Sequence, residues 1–329
     1  MKNTKLQKII IALILLVSLV VMGVFLVGKK TASFEQDNIP KPSIAVSQKV
    51  ELVGKTGSVK ILFVGDLMFD RYIRQTAERK GDEFVFAGVQ AMLAGSDLVV
   101  GNLEGPITDN ASVSVDSKVG AKDNYVFTFD QTIAGQLWQH NIRLVNLGNN
   151  HILNFGQDGL SQTKENLRSN KVDFFGDPAG EKRLAVFEKN GLKIVLVAFN
   201  QFEKDAKSKT LADLEQAKKM KADKIILYAH WGREFVTQAD DEIKDLAHGF
   251  IESGADLVIG SHPHVVQGSE RYKGKLIYYS LGNFFFDQYF SPQTQQGLAV
   301  QIQVTTGSTE LAPQEFPVTL KTNGQTTTP

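Results

Sequence analysis

Cysteine is absent from the 329 residues. That excludes disulfide frameworks, thiolate metal sites, iron–sulfur clusters and thiol nucleophiles. Net charge is absent too, with 36 Lys plus Arg against 36 Asp plus Glu. The balance is uneven along the chain, because residues 1–30 hold Lys2, Lys5, Lys8, Lys29 and Lys30 and no acid. The remaining 31 bases face 36 acids, a net near −5. A mildly acidic body excludes a nucleic-acid binder, which needs a basic surface to displace counterions. No internal repeat is found, and there is no Gly-x-Ser-x-Gly elbow, no Gly-rich phosphate loop with Lys-Ser/Thr, and no Gly-x-Gly-x-x-Gly after a strand. Serine hydrolases of that type and nucleotide-binding folds therefore have no visible machinery here. What is present is a globular composition, 42% apolar, 9% aromatic and 22% charged. The length suits one large domain or two modest ones.

Ile9–Gly28 is a run of twenty residues without a charge. As a helix it would span about 30 Å, the thickness of a bilayer's hydrocarbon core. Lys29-Lys30 ends it as an interfacial stop, and the run is longer than the apolar core of a signal peptide, about 7–15 residues. The reading favours an uncleaved single-pass anchor over cleavage after Ala32. Three lysines and the amino terminus precede the run, which places the N-terminus in the cytoplasm and the body outside the cell membrane. The expected division is a stub and anchor over 1–30, a linker over 31–57 containing Ile39-Pro40-Lys41-Pro42, a body over 58–306, and a flexible tail over 307–329 in which Pro317–Leu320 could form an edge strand.

Within the body, apolar runs alternate with amphipathic stretches. Strands are expected at Val59–Gly65, Asp97–Gly101, Arg143–Leu147, Lys224–Tyr228, Leu257–Gly260, Lys275–Ser280 and Leu298–Val304. Helices are expected at Phe69–Lys80, Phe84–Leu93, Gln131–His140, Gly159–Arg168, Thr210–Lys221 and Asp240–Ser253. Ala185–Lys189 and Leu192–Phe199 flank Asn190-Gly191, a strong hairpin signal. Helices between strands imply βαβ units, and the hairpin implies that part of the sheet is antiparallel. The class is mixed α/β.

Six apolar strands are followed by polar, often glycine-flanked tips: Gly65-Asp66, Gly101-Asn102-Leu103-Glu104, Gly148-Asn149-Asn150-His151, His230-Trp231-Gly232, Gly260-Ser261-His262-Pro263-His264 and Ser280-Leu281-Gly282-Asn283. Ligands of open α/β sheets bind beyond the carboxyl ends of the strands. Parallel strands would bring all six tips to one crevice. Imidazoles mixed with carboxylate and amide oxygens form a borderline N/O set suited to Mn, Fe, Zn or Co. Such a set can hold two cations bridged by one carboxylate. Taken singly, each residue has a plainer role: Asp66 as a helix cap, Glu104 as a surface acid, Asn149 and Asn150 in left-handed turns, His230 as a packed core histidine. Their joint placement at successive strand ends is what those plainer roles do not explain. His140 and His248 lack that placement and read as structural.

These tips, with His230-Trp231-Gly232-Arg233-Glu234 and Tyr279-Ser280-Leu281-Gly282-Asn283-Phe284, resemble the CapA family of capsule synthesis and poly-γ-glutamate biosynthesis, within the calcineurin-like metallophosphatase superfamily. The resemblance covers about Val59 to Val304. It implies a four-layer α/β/β/α sandwich. It also implies Asp66 and His264 at one metal position, Glu104 as the bridge, Asn150, His230 and His262 at the second, and His151 as the group that protonates a leaving oxygen. Met68 stands where the superfamily's Asp-x-His has its histidine. A thioether is a poor substitute for imidazole on a hard or borderline cation, so the first position is weakened.

The expected function is that of a membrane-anchored extracytoplasmic protein in capsule or poly-γ-glutamate assembly. It would have a divalent metal site (Mn, Fe, Zn or Mg, one or two ions), an anionic surface polymer as partner, and a membrane-bound synthase complex implied by the family. The alternatives are a metal-dependent hydrolase of phosphoesters, amides or esters at the cell surface, and a non-catalytic polymer-binding scaffold.

Overall fold

Alternation with a period of two in Val59–Val64 sends neighbouring side chains of the first strand into two different cores. Ile61 and Phe63 enter one, Leu62 and Val64 the other, as a pleated strand buried on both faces requires. The computed structural model describes residues 57–329. The expected anchor over 9–28 and nearly all of the linker lie outside the described residues. Among the described residues no helix is long and apolar enough to cross a membrane.

The strands in chain order are β1 (Ser58–Leu67), β2 (Leu98–Leu103), β3 (Ile142–Asn146), β4 (Asp173–Phe175), β5 (Leu184–Lys189), β6 (Leu192–Asn200), β7 (Lys224–His230), β8 (Leu257–Ser261), β9 (Ser269–Tyr272), β10 (Lys275–Tyr278), β11 (Asn283–Phe285), β12 (Gln296–Thr305), β13 (Ala312–Leu320) and β14 (Thr326–Thr327). They form two sheets, ordered β14-β13-β12-β1-β2-β3-β4 and β5-β6-β7-β8-β10-β9, with β11 added beside β1. Each sheet has a parallel block: β1 to β4 in the first, β6-β7-β8-β10 in the second. Antiparallel strands lie on one side of the first block and on both sides of the second.

Phe63, Val100, Leu196, Ile226, Tyr228 and Ile259 pack in the core between the sheets. The outer face of the first sheet is covered by helices at Arg71–Lys80, Thr132–Gln139 and Gly156–Ser169, through Ile73, Leu137 and Leu160. Helices at Ala206–Lys219 and Asp241–Glu252 cover the second through Leu214, Ala247 and Phe250. The layers thus run α/β/β/α. Tyr228 ties the sheets together, its hydroxyl donating to the Val64 carbonyl at 2.6 Å.

Several boundaries differ from expectation. The stretch expected as one helix over Phe84–Leu93 is two short ones, Asp82–Phe86 and Gln90–Ala94. A side chain at the intervening Gly88 would run into the Thr326 carbonyl. The segment over 307–329 is part of the first sheet: β13 extends well beyond Pro317–Leu320, and β14 follows it. β1 continues two residues past Gly65, so Asp66 lies within the strand. The Gly282-Asn283 tip opens a further strand, β11, beside β1.

Candidate metal centre

Strand register assembles the site. Across the first sheet, Asn283, Asp66, Asn102 and Asn146 stand side by side on β11, β1, β2 and β3. Across the second, Asn200, His230 and Ser261 do the same on β6, β7 and β8. Apart from Asn283, which opens β11, both rows sit at or near the carboxyl ends of parallel strands, and they touch. Asn102 Nδ2 donates to Asp66 Oδ1 at 2.9 Å and lies 3.2 Å from His230 Nδ1. Asn102 Oδ1 accepts from Asn146 and Asn149, each at 3.1 Å. Gly65 is required where β11 meets β1, because a Cβ there would overlap the Gly282 carbonyl.

The loops after the strands add the remaining groups. Glu104 follows β2 and is fully buried. Asn149 Oδ1 accepts the N–H groups of His151 and Ile152 at 3.0 and 2.9 Å, an Asx turn that presents Asn150 and His151. Asn150 Oδ1 meets His230 Nε2 at 2.8 Å, and His230 Nδ1 meets Ser261 Oγ at 3.1 Å. After β8, His262 and His264 both take positive φ, 97° and 58°, on either side of Pro263. Residues with a Cβ hold such angles at a cost, and sites are where that cost is commonly found.

Hydrogen bonding assigns two tautomers. Asn283 Nδ2 donates to the carbonyls of His264 and Thr294, so its Oδ1 accepts from His264 Nδ1 at 2.9 Å. That leaves the lone pair of His264 Nε2 facing Glu104 Oε1 at 3.6 Å. Asn154 Oδ1 accepts the Phe127 N–H at 2.8 Å and likewise accepts from His151 Nδ1 at 3.2 Å. His151 Nε2 is then the free nitrogen, 4.0 Å from Glu104 Oε1. An imidazole whose other nitrogen donates to an amide or carboxylate is the usual form of a metal-ligating histidine.

Electrostatics follow from burial. Desolvation, with the nearby Asp66 charge, pushes the Glu104 carboxyl well above the carboxylate range. Burial, then His262, holds His230 well below the ordinary imidazole value. Burial lowers His262 to about 3 and His151 to about 4. These three imidazoles are therefore held neutral, the form that ligates a metal. Neither Glu104 oxygen has a hydrogen-bond partner, and His262 Nδ1 has none either. Leaving such a group buried and unpaired is costly. A cation removes that cost, and the donors are placed for one. Glu104, His230 and His262 lie with their ligand atoms within 4.8 Å of one another, as do Asp66, Glu104 and His264. Glu104 belongs to both sets. The residues present fit one or two divalent cations.

All of the residues expected from the sequence come together: Asp66, Glu104, His230, His262 and His264 in these two sets, Asn150 against His230, and His151 beside Glu104. Met68 does not join them. It packs in the core of the first sheet, with its Sδ accepting the Asp70 N–H at 3.0 Å. His140 stacks on Phe86 at 4.2 Å, and His248 stacks on Tyr272 at 3.8 Å, both in structural roles. The sequence places Asn102, Ser261 and Asn283 on the converging tips without a role; Asn146, which completes the polar row, is not visible there, nor is the role of Glu234, whose carboxylate completes a third set with His262 and His264. The strand-end position of Asn102 and Ser261 was the available signal.

The site opens beside a cavity of about 350 Å³ lined by Arg71, Tyr125, Glu234, Phe235 and Asp287, among others. The Arg71 guanidinium lies over the Phe127 and Phe286 rings, 5.1 and 5.4 Å from their centroids, and pairs with Asp287. The exposed Phe202 ring meets His262 edge-on at 4.8 Å.

Among solved structures, similarity extends to a hypothetical protein from Thermus thermophilus (TM-score 0.49, 18% identity, 78% of this chain and 98% of that one). It also extends to the NAD nucleotidase of Haemophilus influenzae (TM-score 0.47, 13% identity, 84% and 54%). In sequence, the chain is 31% identical over 274 residues to the PGA biosynthesis protein CapA of Bacillus subtilis, covering 76% of this chain and 70% of that protein. It is 27% identical over 270 residues to the capsule biosynthesis protein CapA of Bacillus anthracis, covering 75% and 64%. The model of the bacterial capsule synthesis protein family PGA_cap matches residues 60–288, which spans every strand end described above except the return of β12 to β14. The chain belongs to the PGA_cap family of bacterial capsule synthesis proteins.

Proposed function

We propose that this protein works at the outer face of the cytoplasmic membrane, held there by residues 9–28, in making, moving or attaching an anionic capsule polymer such as poly-γ-glutamate. In this reading Asp66, Glu104, Asn150, His230, His262 and His264 hold one or two divalent cations, of Mn, Fe, Zn or Mg. Family membership supports the capsule role. The observation that carries the metal role is Glu104, a fully buried carboxyl without a hydrogen-bond partner, shared by two donor sets. When bound, a cation supplies positive charge for an anionic polymer group that the mildly acidic body would otherwise repel. A membrane-bound synthase complex is the partner this placement serves.

The test replaces the chromosomal gene by its Glu104→Gln version and follows surface polymer alongside protein level. The reading expects polymer to fall while the protein persists in the membrane fraction. Wild-type polymer from that strain would separate the metal site from the capsule role. Wild-type polymer after deletion of the gene would remove the capsule role altogether.

His151 favours a second, enzymatic reading: a hydrolase of phosphoesters, or of amides or esters in a surface polymer. Its Nδ1 is held by Asn154, its ring packs 4.5 Å from Phe127, and its Nε2 faces the site. The ring rests neutral, and its free nitrogen can take up a proton within the site and pass it to a leaving oxygen. Turnover of a generic phosphodiester with manganese, lost in His151→Gln at unchanged metal content, would favour this reading. Full metal loading without turnover on a panel of esters and amides would point to a polymer-binding scaffold.

A further inference from the structure

We infer that Glu234 is a further carboxylate donor to the cation site, closing its solvent side opposite the buried Glu104. The inference rests on the metal reading above and names a residue outside the donor set carried over from the sequence. A Glu234 oxygen lies within 4.8 Å of ligand nitrogens of both His262 and His264, while Glu104 reaches the same two histidines from within the fold. The two acids thus bracket the histidine pair, one exposed and one fully buried.

The loop carrying Glu234 is held at several points. Gln201 bonds both backbone groups of Gly232, at 2.7 and 2.9 Å. The Phe235 N–H donates to the Pro263 carbonyl at 2.8 Å, tying the loop directly to the His-Pro-His turn. Gln267 Nε2 donates to the Val236 carbonyl at 2.7 Å. Phe235 itself has φ 62°, a conformation a bulky residue adopts only when its surroundings impose it. The neighbouring Arg233, the obvious cation for Glu234, is turned to Asp240 in a two-pronged pair at 2.9 and 2.7 Å. Glu234 has no ion-pair partner among the described residues, although it lies beside His262 and His264.

Donor count gives the acid a purpose. The first strand offers the site Asp66 alone, because Met68 Sδ is committed to the Asp70 N–H inside the core. Glu234 offers a further hard oxygen beside His264, the histidine that shares a set with Asp66. Oxygen ligands suit Mn or Mg in particular.

The experiment titrates Mn²⁺ into the full-length protein in detergent micelles and counts bound ion by electron paramagnetic resonance, for wild type, Glu234→Gln and Glu104→Gln. Wild type should bind, Glu104→Gln should lose binding, and Glu234→Gln should weaken one position about 10- to 100-fold, the range for a ligand-supporting residue. Thermal unfolding with chelator present should be the same for wild type and Glu234→Gln, which reports that the variant is folded. Wild-type affinity in Glu234→Gln beside lost binding in Glu104→Gln overturns the role of Glu234 and leaves the metal site standing. No binding by the wild type overturns both.

Discussion

Two carboxylates, Asp70 and Glu104, are both fully buried near the ends of β1 and β2, and they are treated in opposite ways. Asp70 Oδ1 accepts from the Arg71 N–H at 2.9 Å, the Ser112 hydroxyl at 2.6 Å and Arg74 Nε at 3.2 Å, and its Oδ2 accepts from the Thr128 N–H at 2.8 Å. It caps the helix at Arg71–Lys80 and ties that helix to two loops. Glu104 accepts nothing. A buried acid ringed with donors is a structural fastener, and one without donors, facing neutral imidazoles, is arranged for a cation. Burial is the same in both cases. The number of donors aimed at the carboxylate separates structure from function.

Breaking the fastener should have the largest effect. Asp70→Ala leaves Arg74 and the Thr128 N–H without their acceptor and should destabilise the fold by about 3–5 kcal/mol, read from urea unfolding in chelator. Glu104→Gln, by contrast, replaces a carboxyl that burial already pushes toward its neutral form and that no hydrogen bond holds. In chelator it should leave stability unchanged or raise it by about 1–2 kcal/mol. A loss comparable to that of Asp70→Ala would make Glu104 a second fastener. The smallest effect belongs to His140, which lies outside the donor sets and whose ring nitrogens have no hydrogen-bond partner. Burial lowers its pKa below 6.5, so the unfolded chain takes up its proton first as pH falls. Its contribution to stability is therefore present above pH 6.5 and lost as pH falls through that value. His140→Gln should flatten this part of the pH profile, and an unaltered profile between about pH 7.5 and 5 would contradict it.

The comparison also shows what a sequence can and cannot reveal. Strand tips were legible because each ends an apolar run, and the hairpin was legible because Asn190 and Gly191 are the residues that reach φ 53° and 78°. His262 and His264 stood out through the proline between them. Asp70 and Glu104 look alike in sequence, since donors to a carboxylate come from residues such as Ser112 and Thr128, far along the chain. Asn146, and the orienting role of Asn102, were hidden for the same reason: their meaning lies in the register between β2 and β3. β13 was expected only over Pro317–Leu320, and its two prolines, Pro313 and Pro317, are residues a central strand excludes. β14 pairs only with Thr319 and Leu320, so both prolines sit where the far edge of β13 has no partner strand and no ladder hydrogen bond is missed. Glu234 is exposed, and from sequence it is one more surface acid.

Anomalous diffraction from crystals grown with Mn²⁺, collected on wild type and Glu104→Gln, tests the central claim most directly. The account predicts one or two peaks in the wild type bounded by Glu104, Asp66, Asn150, His230, His262 and His264, and none in the variant. A wild-type map with no peak there, and with Glu104 hydrogen-bonded to ordered water alone, would contradict it.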